Sequence, residues 1–410
     1  MTPNRPSARE EGRRRAKTAL KAYRSIKAAF FGQSRLGYER FKQLFRLPGC
    51  YRKVRAMEDC TRSAFGLAGD LLTWFFSYKT FPDHYGLCRL WEVDKADWKY
   101  YFGSNYQPHQ LARLKRFVQP LEYRVFFNDK YLCALLCQAQ RIRIPMTHGV
   151  VDPVQDYRSL ITAWLSTSPA GRLIIKPLYG EMGRDIVLAE HDSGGVVIMD
   201  GRKATPLKDF ILQERALVQD VLAQDPRLAA FSPSSVNTLR VVTMLTPRDD
   251  VLIVNASFRS GVGGAFVDNW SAGGVSVGVD CDRGVLKKFA YDKKSRRYAA
   301  HPTSGIVFEG HPVPEWEKVR AAATAIQRAF SFYRLIGLDL ALDANGEPTL
   351  IEANGAPDLA GLEQKAGPLL RNRAVLQVFG EYGLLFNKHQ REIYAAHGRS
   401  ASRGAKPEVT

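Results

Sequence analysis

The chain has 410 residues, of which 45% are hydrophobic, so the composition excludes a disordered protein and allows two or three lobes. No apolar run reaches the roughly 18 residues that a membrane-spanning helix needs; the nearest candidate, Gly66 to Tyr78, is short and contains Asp70. The N-terminus also lacks the apolar core of a signal peptide, and we therefore expect a cytoplasmic protein.

The net charge of +18 is uneven along the chain. Residues 1–60 contain 16 Lys and Arg against 5 Asp and Glu, which gives this segment a charge of +11. Such a segment could meet an anionic membrane surface, which would make the protein peripheral at the membrane, or an acidic partner. It could equally be a solvated, partly disordered tail. Nucleic acid is not an expected partner, because no recognisable nucleic-acid module follows the segment.

The predicted organisation begins with a basic, mainly helical region over residues 1–94. Its first 16 residues read as disordered, and the stretch from Thr18 to Phe45 has apolar residues at helical spacing. Residues 60–120 are rich in aromatic side chains and predict a packed helical lobe. A second domain is expected over residues 95–395, followed by a disordered tail over 396–410.

The six cysteines do not suggest a metal knuckle. Cys133 and Cys137 are four residues apart, which places them on one face of a helix, and no His pair lies nearby at ligand spacing. We expect reduced, buried thiols.

The middle of the chain mixes strands and helices without strict alternation, which favours an α+β fold. The predicted helices begin near Asn128 or Asp129, as cap, and at Pro314. The predicted strands are 172–177, 185–188, 239–246 and 251–258, and the last two form a hairpin through residues 247–250.

A second hairpin is predicted between Ile336 and Asp358, because Asn345-Gly346 is the strongest short-range signal for a two-residue turn. With that turn, Asp339 lies directly opposite Glu352, and Asn354 lies two residues further along the same strand. Since side chains alternate between faces, these three polar side chains share one face. The opposite face is a core face of Leu338, Leu340, Leu342 and Ile351.

The opposed carboxylates of this hairpin predict a bound cation that offsets their repulsion. Like charges directly across two strands destabilise a sheet, and hard oxygen ligands in this arrangement suit Mg²⁺. The alternative is a surface strand whose acids are solvated, and a one-residue slip of the register would scatter the three side chains onto both faces.

Three other segments suit a nucleotide. Lys176 ends a strand and is followed by a loop with Gly180 and Gly183, whose backbone amides can approach phosphate oxygens, although the spacing is not that of a Walker loop. The run Phe210 to Arg215 can present a strand edge to an adenine, and Arg240 can clamp a phosphate. Each has a plain alternative: an ordinary hairpin loop, a surface pair of Glu214 and Arg215, and a structural ion pair of Arg240.

Together these motifs resemble a known family. Lys130 in FNDKY, the segments IIKPLYGEMGRDI, ILQER, SVNTLRVVT and GGAFVDNWSAGGVSVGVD, and the hairpin GLDLALDANGEPTLIEANGAPD occur in the order of ATP-grasp enzymes. The set is similar to the sugar-transfer-associated ATP-grasp family over about residues 95–385. The resemblance implies an ATP-grasp fold, in which two α/β lobes grip ATP, preceded here by the basic helical region.

The resemblance also implies roles for single residues. Lys130 and Lys176 would contact the phosphates of ATP, and the loop from Tyr179 through Gly180 to Gly183 would fold over them. Gln213 and Glu214 would contact adenine and ribose. The residues near the triphosphate and the acceptor would be Asn237, Arg240, Asn269 and Arg259. Two Mg²⁺ ions would be held by Asp339, Glu352 and Asn354, although many ATP-grasp enzymes have Glu at the position of Asp339.

The implied activity is that of an ADP-forming ligase. A substrate carboxylate, on a small molecule or a glycan, would attack the γ-phosphate, and an amine would then attack the acyl-phosphate. Two rivals remain open: a kinase that phosphorylates a sugar or polyol hydroxyl, and a non-catalytic nucleotide-binding scaffold held through its basic arm. A cell-envelope precursor is a substrate suggested by association with sugar transfer alone.

Overall fold

The computed structural model describes residues 43–103, 114–180, 185–201, 203–263 and 273–404. The predicted disordered start and nearly all of the predicted basic helices therefore lie outside the described residues. The helices are α1 Leu47–Arg55, α2 Ala64–Phe76, α3 Pro82–Leu87, α4 Val125–Asn128, α5 Lys130–Ala139, α6 Tyr157–Thr167, α7 Pro226–Ala229, α8 Trp316–Ala329, α9 Leu359–Ala366, α10 Arg373–Glu381 and α11 Lys388–Gly404. The strands are β1 Thr147–Val151, β2 Arg172–Pro177, β3 Val187–Asp192, β4 Gly195–Asp200, β5 Lys203–Pro206, β6 Ala216–Asp220, β7 Thr238–Leu245, β8 Val251–Ser260, β9 Val275–Asp280, β10 Val285–Tyr291, β11 Arg297–Tyr298, β12 Leu335–Leu342 and β13 Pro348–Asn354.

The aromatic segment forms a small helical lobe, as predicted. Helix α2 begins where the Ser63 hydroxyl accepts a hydrogen bond from the Gly66 amide. Trp74 on α2 and Trp98 are both buried, and their rings meet edge to face with centroids 5.7 Å apart. These side chains give the lobe a core of its own.

The six-stranded sheet has the order β1-β6-β2-β3-β4-β5, and every neighbouring pair is antiparallel. Strand β2 has the predicted bounds, and β3 starts two residues later than predicted. Ile161 and Leu165 of α6 pack on Ile175 and Val218, so this helix covers one face of the sheet.

The seven-stranded sheet has the order β11-β10-β9-β8-β7-β12-β13 and is also antiparallel. The predicted hairpin of β7 and β8 is confirmed. On one face, Val319, Ala323 and Ile326 of α8 pack against side chains that include Val241 and Leu338. This stripe is the one that the spacing of apolar residues after Pro314 predicts. Two antiparallel sheets with packed helices confirm the α+β prediction.

The other face of the large sheet carries α9 and α10 and joins the helical lobe to the rest of the protein. The buried carboxylate of Glu363 in α9 accepts hydrogen bonds from the amides of Phe102 at 2.7 Å and Gly103 at 3.0 Å. It also lies 3.0 Å from Nε2 of His84 in α3. One side chain therefore ties three segments together.

The end of the chain differs from the prediction of a tail that begins at 396. Helix α11 continues past that residue to Gly404. Ile393 and Tyr394 on this helix pack against the core beneath α10, and Ala395 and Ala396 have high helix propensity, which favours continuation of the helix. None of the helices in the described part of the chain has both the length and the apolar character needed to cross a membrane.

Candidate active site between the two sheets

A cleft lies between the two sheets and collects residues from several predicted motifs. Strand β2 and the loop after it contribute Lys176 and Gly180, helix α5 contributes Lys130, and the large sheet contributes Arg259, Asp339 and Glu352. Apolar side chains that include Ile174, Ile186, Leu217 and Leu350 form its walls. A polar floor with apolar walls is the usual composition of a ligand-binding cleft.

The hairpin of β12 and β13 pairs Asp339 with Glu352 and Gly337 with Asn354, as predicted. The turn itself was predicted wrongly. The Asp343 amide donates to the Glu347 carbonyl at 3.0 Å, so the loop has three residues, Ala344 to Gly346, and φ at Gly346 is +75°.

A bulge at Ile351 compensates for the longer loop. Leu340 pairs with Leu350, and the next pair is Asp339 with Glu352, so Ile351 has no partner of its own. The bulge places Ile351 in the wall of the cleft instead of the core face where we predicted it. The two irregularities cancel, and the predicted pairing of the carboxylates is confirmed.

Asp339 is buried, at 5% exposure, and is held by two arginines. Nη2 of Arg240 donates to its carboxylate at 2.7 Å, and Nη1 of Arg259 lies 3.3 Å from Oδ2. Burial alone would raise the pKa of Asp339, but the charges of Arg240 and Arg259 outweigh burial and lower it. Arg240 thus forms the structural ion pair that was its alternative role, and its partner Asp339 lines the cleft.

The two predicted phosphate-binding lysines are held by different partners. Nζ of Lys176 donates to Oε1 of Gln219 on β6 at 3.1 Å, and this lysine is buried. Nζ of Lys130 donates to the carbonyl of Gly180 at 3.0 Å, so it lies against the predicted glycine loop. Both cations line the cleft that Asp339 and Glu352 also line.

Asp129 organises this end of the cleft, and its second role was not predicted. Its carboxylate caps α5 by accepting from the amides of Tyr131 and Leu132, as the cap signal predicts. The same carboxylate accepts the hydroxyl of Tyr179 at 2.9 Å. One residue therefore fixes both the helix that presents Lys130 and the first residue of the glycine loop.

Asn237 does not reach the cleft. It has no exposed surface, and its Nδ2 lies within hydrogen-bond distance of Oε1 of Gln224 and the carbonyls of Leu228 and Ser232. Its Oδ1 accepts the hydroxyls of Ser235 and Ser260. Because these bonds occupy both polar atoms, the expected contact of Asn237 with a nucleotide is not formed in this arrangement.

Gln213 and Glu214 are exposed and precede β6 instead of ending it. The described residues at the connection between the two sheets that line the cleft are Asp220, Val221 and Leu222. The predicted adenine-binding strand was the apolar run that ends at Gln213 and Glu214. In the structure the strand that reaches the cleft is the next apolar run, Ala216–Asp220. The end of that run was the signal that could have located the connection.

Lys365 on α9 is a further residue that the sequence did not single out. Burial lowers its pKa to about 7, Arg259 lowers it as well, and Asp358 opposes the shift. It therefore adds a titratable amine to the positive charge around Asp339. Gly183 and Asn269, both predicted site residues, lie outside the described residues.

The donor set suits magnesium better than zinc. Glu352 points an exposed carboxylate into the cleft beside Asp339, and among the described residues it has no hydrogen-bond or ion-pair partner. Oδ1 of Asn354 accepts the Ala356 amide at 2.8 Å and keeps a second lone pair. No group of three or more His, Cys, Asp or Glu side chains that could hold a metal occurs in the described part of the chain. All six cysteines are free thiols, but only Cys50, Cys88 and Cys137 are buried as predicted, and Cys60, Cys133 and Cys281 are partly exposed. The oxygen donors fit Mg²⁺ with Glu352 as the uncommitted ligand.

The comparison with known families identifies one family. Residues 109–378, well over half of the chain, match the family described as sugar-transfer associated ATP-grasp. No curated protein matches the chain.

Several solved structures are similar to this one at low identity. D-cycloserine synthetase is 14% identical over 68% of this chain and 77% of that chain, with a TM-score of 0.38. Phosphoribosylamine–glycine ligase from Thermotoga maritima is 12% identical over 65% and 57%, with a TM-score of 0.38. D-alanyl-alanine synthetase A from Vibrio cholerae is 13% identical over 66% of each chain, with a TM-score of 0.36. The match spans only 44% of N5-carboxyaminoimidazole ribonucleotide synthetase from Thermotoga maritima and 52% of a second such synthetase.

Proposed function

Since this chain belongs to the sugar-transfer associated ATP-grasp family, we propose that it is an ATP- and Mg²⁺-dependent carboxylate–amine ligase. The observation that carries the proposal is the cleft itself. It brings the Asp339 and Glu352 carboxylates of the large sheet into one cleft with Lys176 of the small sheet and with Lys130, whose Nζ donates to the carbonyl of Gly180. Cations that bind a polyphosphate and carboxylates that hold its metal are the two requirements of phosphoryl transfer.

In the proposed reaction, a substrate carboxylate attacks the γ-phosphorus of ATP, and the bond to the β–γ bridging oxygen breaks to release ADP. Lys130 and Lys176 bind the phosphates, and their charge stabilises the oxygens of the transferring group. Bound Mg²⁺, held by Glu352 with Asp339 and Asn354, would neutralise phosphate charge; we expect two ions.

The second half-reaction makes the C–N bond. An amine attacks the carbonyl carbon of the acyl-phosphate, phosphate leaves, and the amine loses a proton to give the amide. Arg259 is the residue in the cleft wall that can stabilise the leaving phosphate or orient the carboxylate, while Arg240 fixes Asp339 beneath it. The association with sugar transfer in the family's description is the support for a carboxylate on a glycan as the substrate class, and we extend the proposal to a cell-envelope precursor by that association alone.

The experiment is ADP release by the full chain with Mg²⁺, across a panel of carboxylates with and without amines. Release that requires both reactants, with one amide formed per ADP, is the expected result. A stable phosphorylated alcohol, formed without any amine, would replace the ligase by a kinase. ATP binding without turnover on any carboxylate, amine or alcohol in the panel would favour a scaffold.

Glu352→Gln provides the sharpest single test of the site. The amide keeps the shape of the side chain but removes the charge that a metal needs, so we expect ADP release to fall by about 100-fold or more. Because Glu352 is exposed, thermal unfolding should be unchanged. The matched control is Glu317→Gln, an exposed glutamate on α8 that pairs with surface Arg320. Near-normal ADP release by Glu352→Gln would refute its role as a metal ligand.

A further inference from the structure

The outer face of α2 carries a stripe of large apolar side chains. Phe65, Leu72 and Phe76 are 93%, 47% and 56% exposed. They are spaced seven and four residues apart, which aligns them along one side of a helix. The inner side packs Leu67, Leu71 and Trp74 in the core of the helical lobe. Helix α2 therefore has two apolar faces, and only one is used by the lobe.

A stripe of this kind differs from the scattered apolar residues of ordinary surfaces. Single exposed apolar side chains are common and need no explanation, whereas three in a line on one helix mark an interaction surface. The acid of α2, Asp70, is on the buried side, where it pairs with Arg62 and Lys95. The stripe itself carries no charge.

Basic side chains lie at both ends of the stripe. Arg55, in the last turn of α1, donates to the carbonyl of Arg62 at 3.2 Å, three residues before Phe65. Lys79 is exposed three residues after Phe76. The segment that leads into α2 is also basic, with a charge of +11 over residues 1–60. An apolar line between cations is complementary to a surface that has a hydrocarbon interior and anionic headgroups.

We propose that α2 docks on an anionic lipid bilayer, with Phe65, Leu72 and Phe76 inserted among the acyl chains. The helix has 13 residues, well short of the roughly 20 needed to span a bilayer, so it lies parallel to the surface. The cations at its ends face the phosphates of the lipids. A bilayer suits this surface better than a protein partner, because the excess charge around the stripe is of one sign and extends over the preceding segment. The proposal stands apart from the proposed ligase activity and is tested without substrates.

The test is flotation of the full chain with vesicles of phosphatidylcholine alone and of equal parts phosphatidylcholine and phosphatidylglycerol. We expect binding to the anionic vesicles only, weakened by added salt. The triple variant Phe65→Ser, Leu72→Ser, Phe76→Ser should bind those vesicles about 30-fold more weakly. Phe65 is almost fully exposed, whereas Leu72 and Phe76 are half-buried and the Phe76 ring lies 5.1 Å from that of Phe75, so the variant should unfold cooperatively at a slightly lower temperature than the parent protein. The matched control is Val154→Ser, which removes an apolar side chain that is 91% exposed outside the helical lobe.

Three results would overturn the proposal. The first is no flotation of the parent protein with either vesicle. The second is equal flotation of the parent and the triple variant, which would assign lipid binding to the basic segment alone. The third is a dimer in sedimentation that the triple variant abolishes, because the stripe would then be covered by a second copy of the chain.

Discussion

At the scale of single residues, Asn237 and Glu352 differ in whether their polar atoms are already hydrogen-bonded within the protein. Asn237 is wholly buried, and its amide meets five partners from four other segments of the chain. Glu352 is exposed and, within the described structure, has no partner. The sequence predicts the pairing of Glu352 with Asp339, and the prediction holds because the longer turn and the bulge at Ile351 offset each other. It does not predict the burial of Asn237, because the partners that saturate it come together only in the folded chain.

Asn237→Ala should therefore act on stability. Alanine leaves buried acceptors and hydroxyls without partners, and we expect the free energy of unfolding to fall by about 3 kcal/mol. Equilibrium unfolding in denaturant measures this change in free energy, provided that the dependence of the free energy on denaturant concentration is the same in both proteins. Asn345→Ala, in the exposed turn between β12 and β13, is the control and should stay within about 0.5 kcal/mol. If Asn237→Ala kept its full stability but bound ATP more weakly, the result would support the predicted contact of Asn237 with the nucleotide.

At the scale of elements, the hairpin of β12 and β13 shows why correct pairing can follow from a wrong turn. The Asp343 carboxylate accepts the amides of Asn345 and Glu347, each at 2.9 Å, and this bonding widens the loop to three residues. The bulge at Ile351 then shifts the register back before Glu352. Local sequence signals the existence of a turn at Asn345-Gly346. Side-chain bonding and packing decide the loop length and the bulge, so the sequence could not reveal that the two would cancel.

Asp70 of helix α2 should make a pH-dependent contribution to the stability of the protein. Burial would raise the pKa of Asp70, but hydrogen bonds from Arg62, Lys95 and Tyr85 outweigh it and leave the pKa below its ordinary value of 3.8. A carboxyl group whose pKa is lower in the folded state contributes stability above its unfolded pKa, and that contribution is lost as the pH falls through the folded pKa. We expect this loss between about pH 5 and pH 1 in unfolding measured across that range.

Asp70→Asn tests this assignment. The variant should be less stable by about 2 kcal/mol at neutral pH, since the amide cannot neutralise Arg62 and Lys95, and its stability should fall less steeply in acid. Asp250→Asn, an exposed aspartate between β7 and β8, should leave both quantities unchanged. If Asp70→Asn kept the parental acid dependence, the acid-sensitive group would lie elsewhere.

At the scale of the whole molecule, Glu363 couples the helical lobe to the large sheet. Its two oxygens accept the amides of Phe102, Gly103 and Leu369 and lie beside His84. The same helix, α9, carries Lys365 towards the charges around Asp339. No local pattern in the sequence could reveal this junction, because Glu363 is more than 250 residues from His84, Phe102 and Gly103. Its loss should affect the docking of the lobe more than the lobe itself.

Glu363→Gln should separate the unfolding of the two parts. The NH₂ group of the new glutamine faces backbone N–H groups, and two donors cannot form a hydrogen bond. In a buried site this mismatch should lower the free energy of unfolding by about 2–3 kcal/mol. Trp74, Trp91 and Trp98 belong to the helical lobe, and the other three of the six tryptophans, Trp164, Trp270 and Trp316, lie outside its segment of the sequence. With those three replaced by Phe in the parent and in every variant, tryptophan fluorescence follows the lobe, while far-ultraviolet circular dichroism also follows the sheets. In the parent protein we expect both signals to change at one denaturant concentration. In Glu363→Gln the fluorescence transition should come first, whereas Glu381→Gln, at the exposed end of α10, should keep the two coincident. Coincident transitions in both variants would mean that apolar packing beneath α10, and not the Glu363 carboxylate, holds the lobe in place.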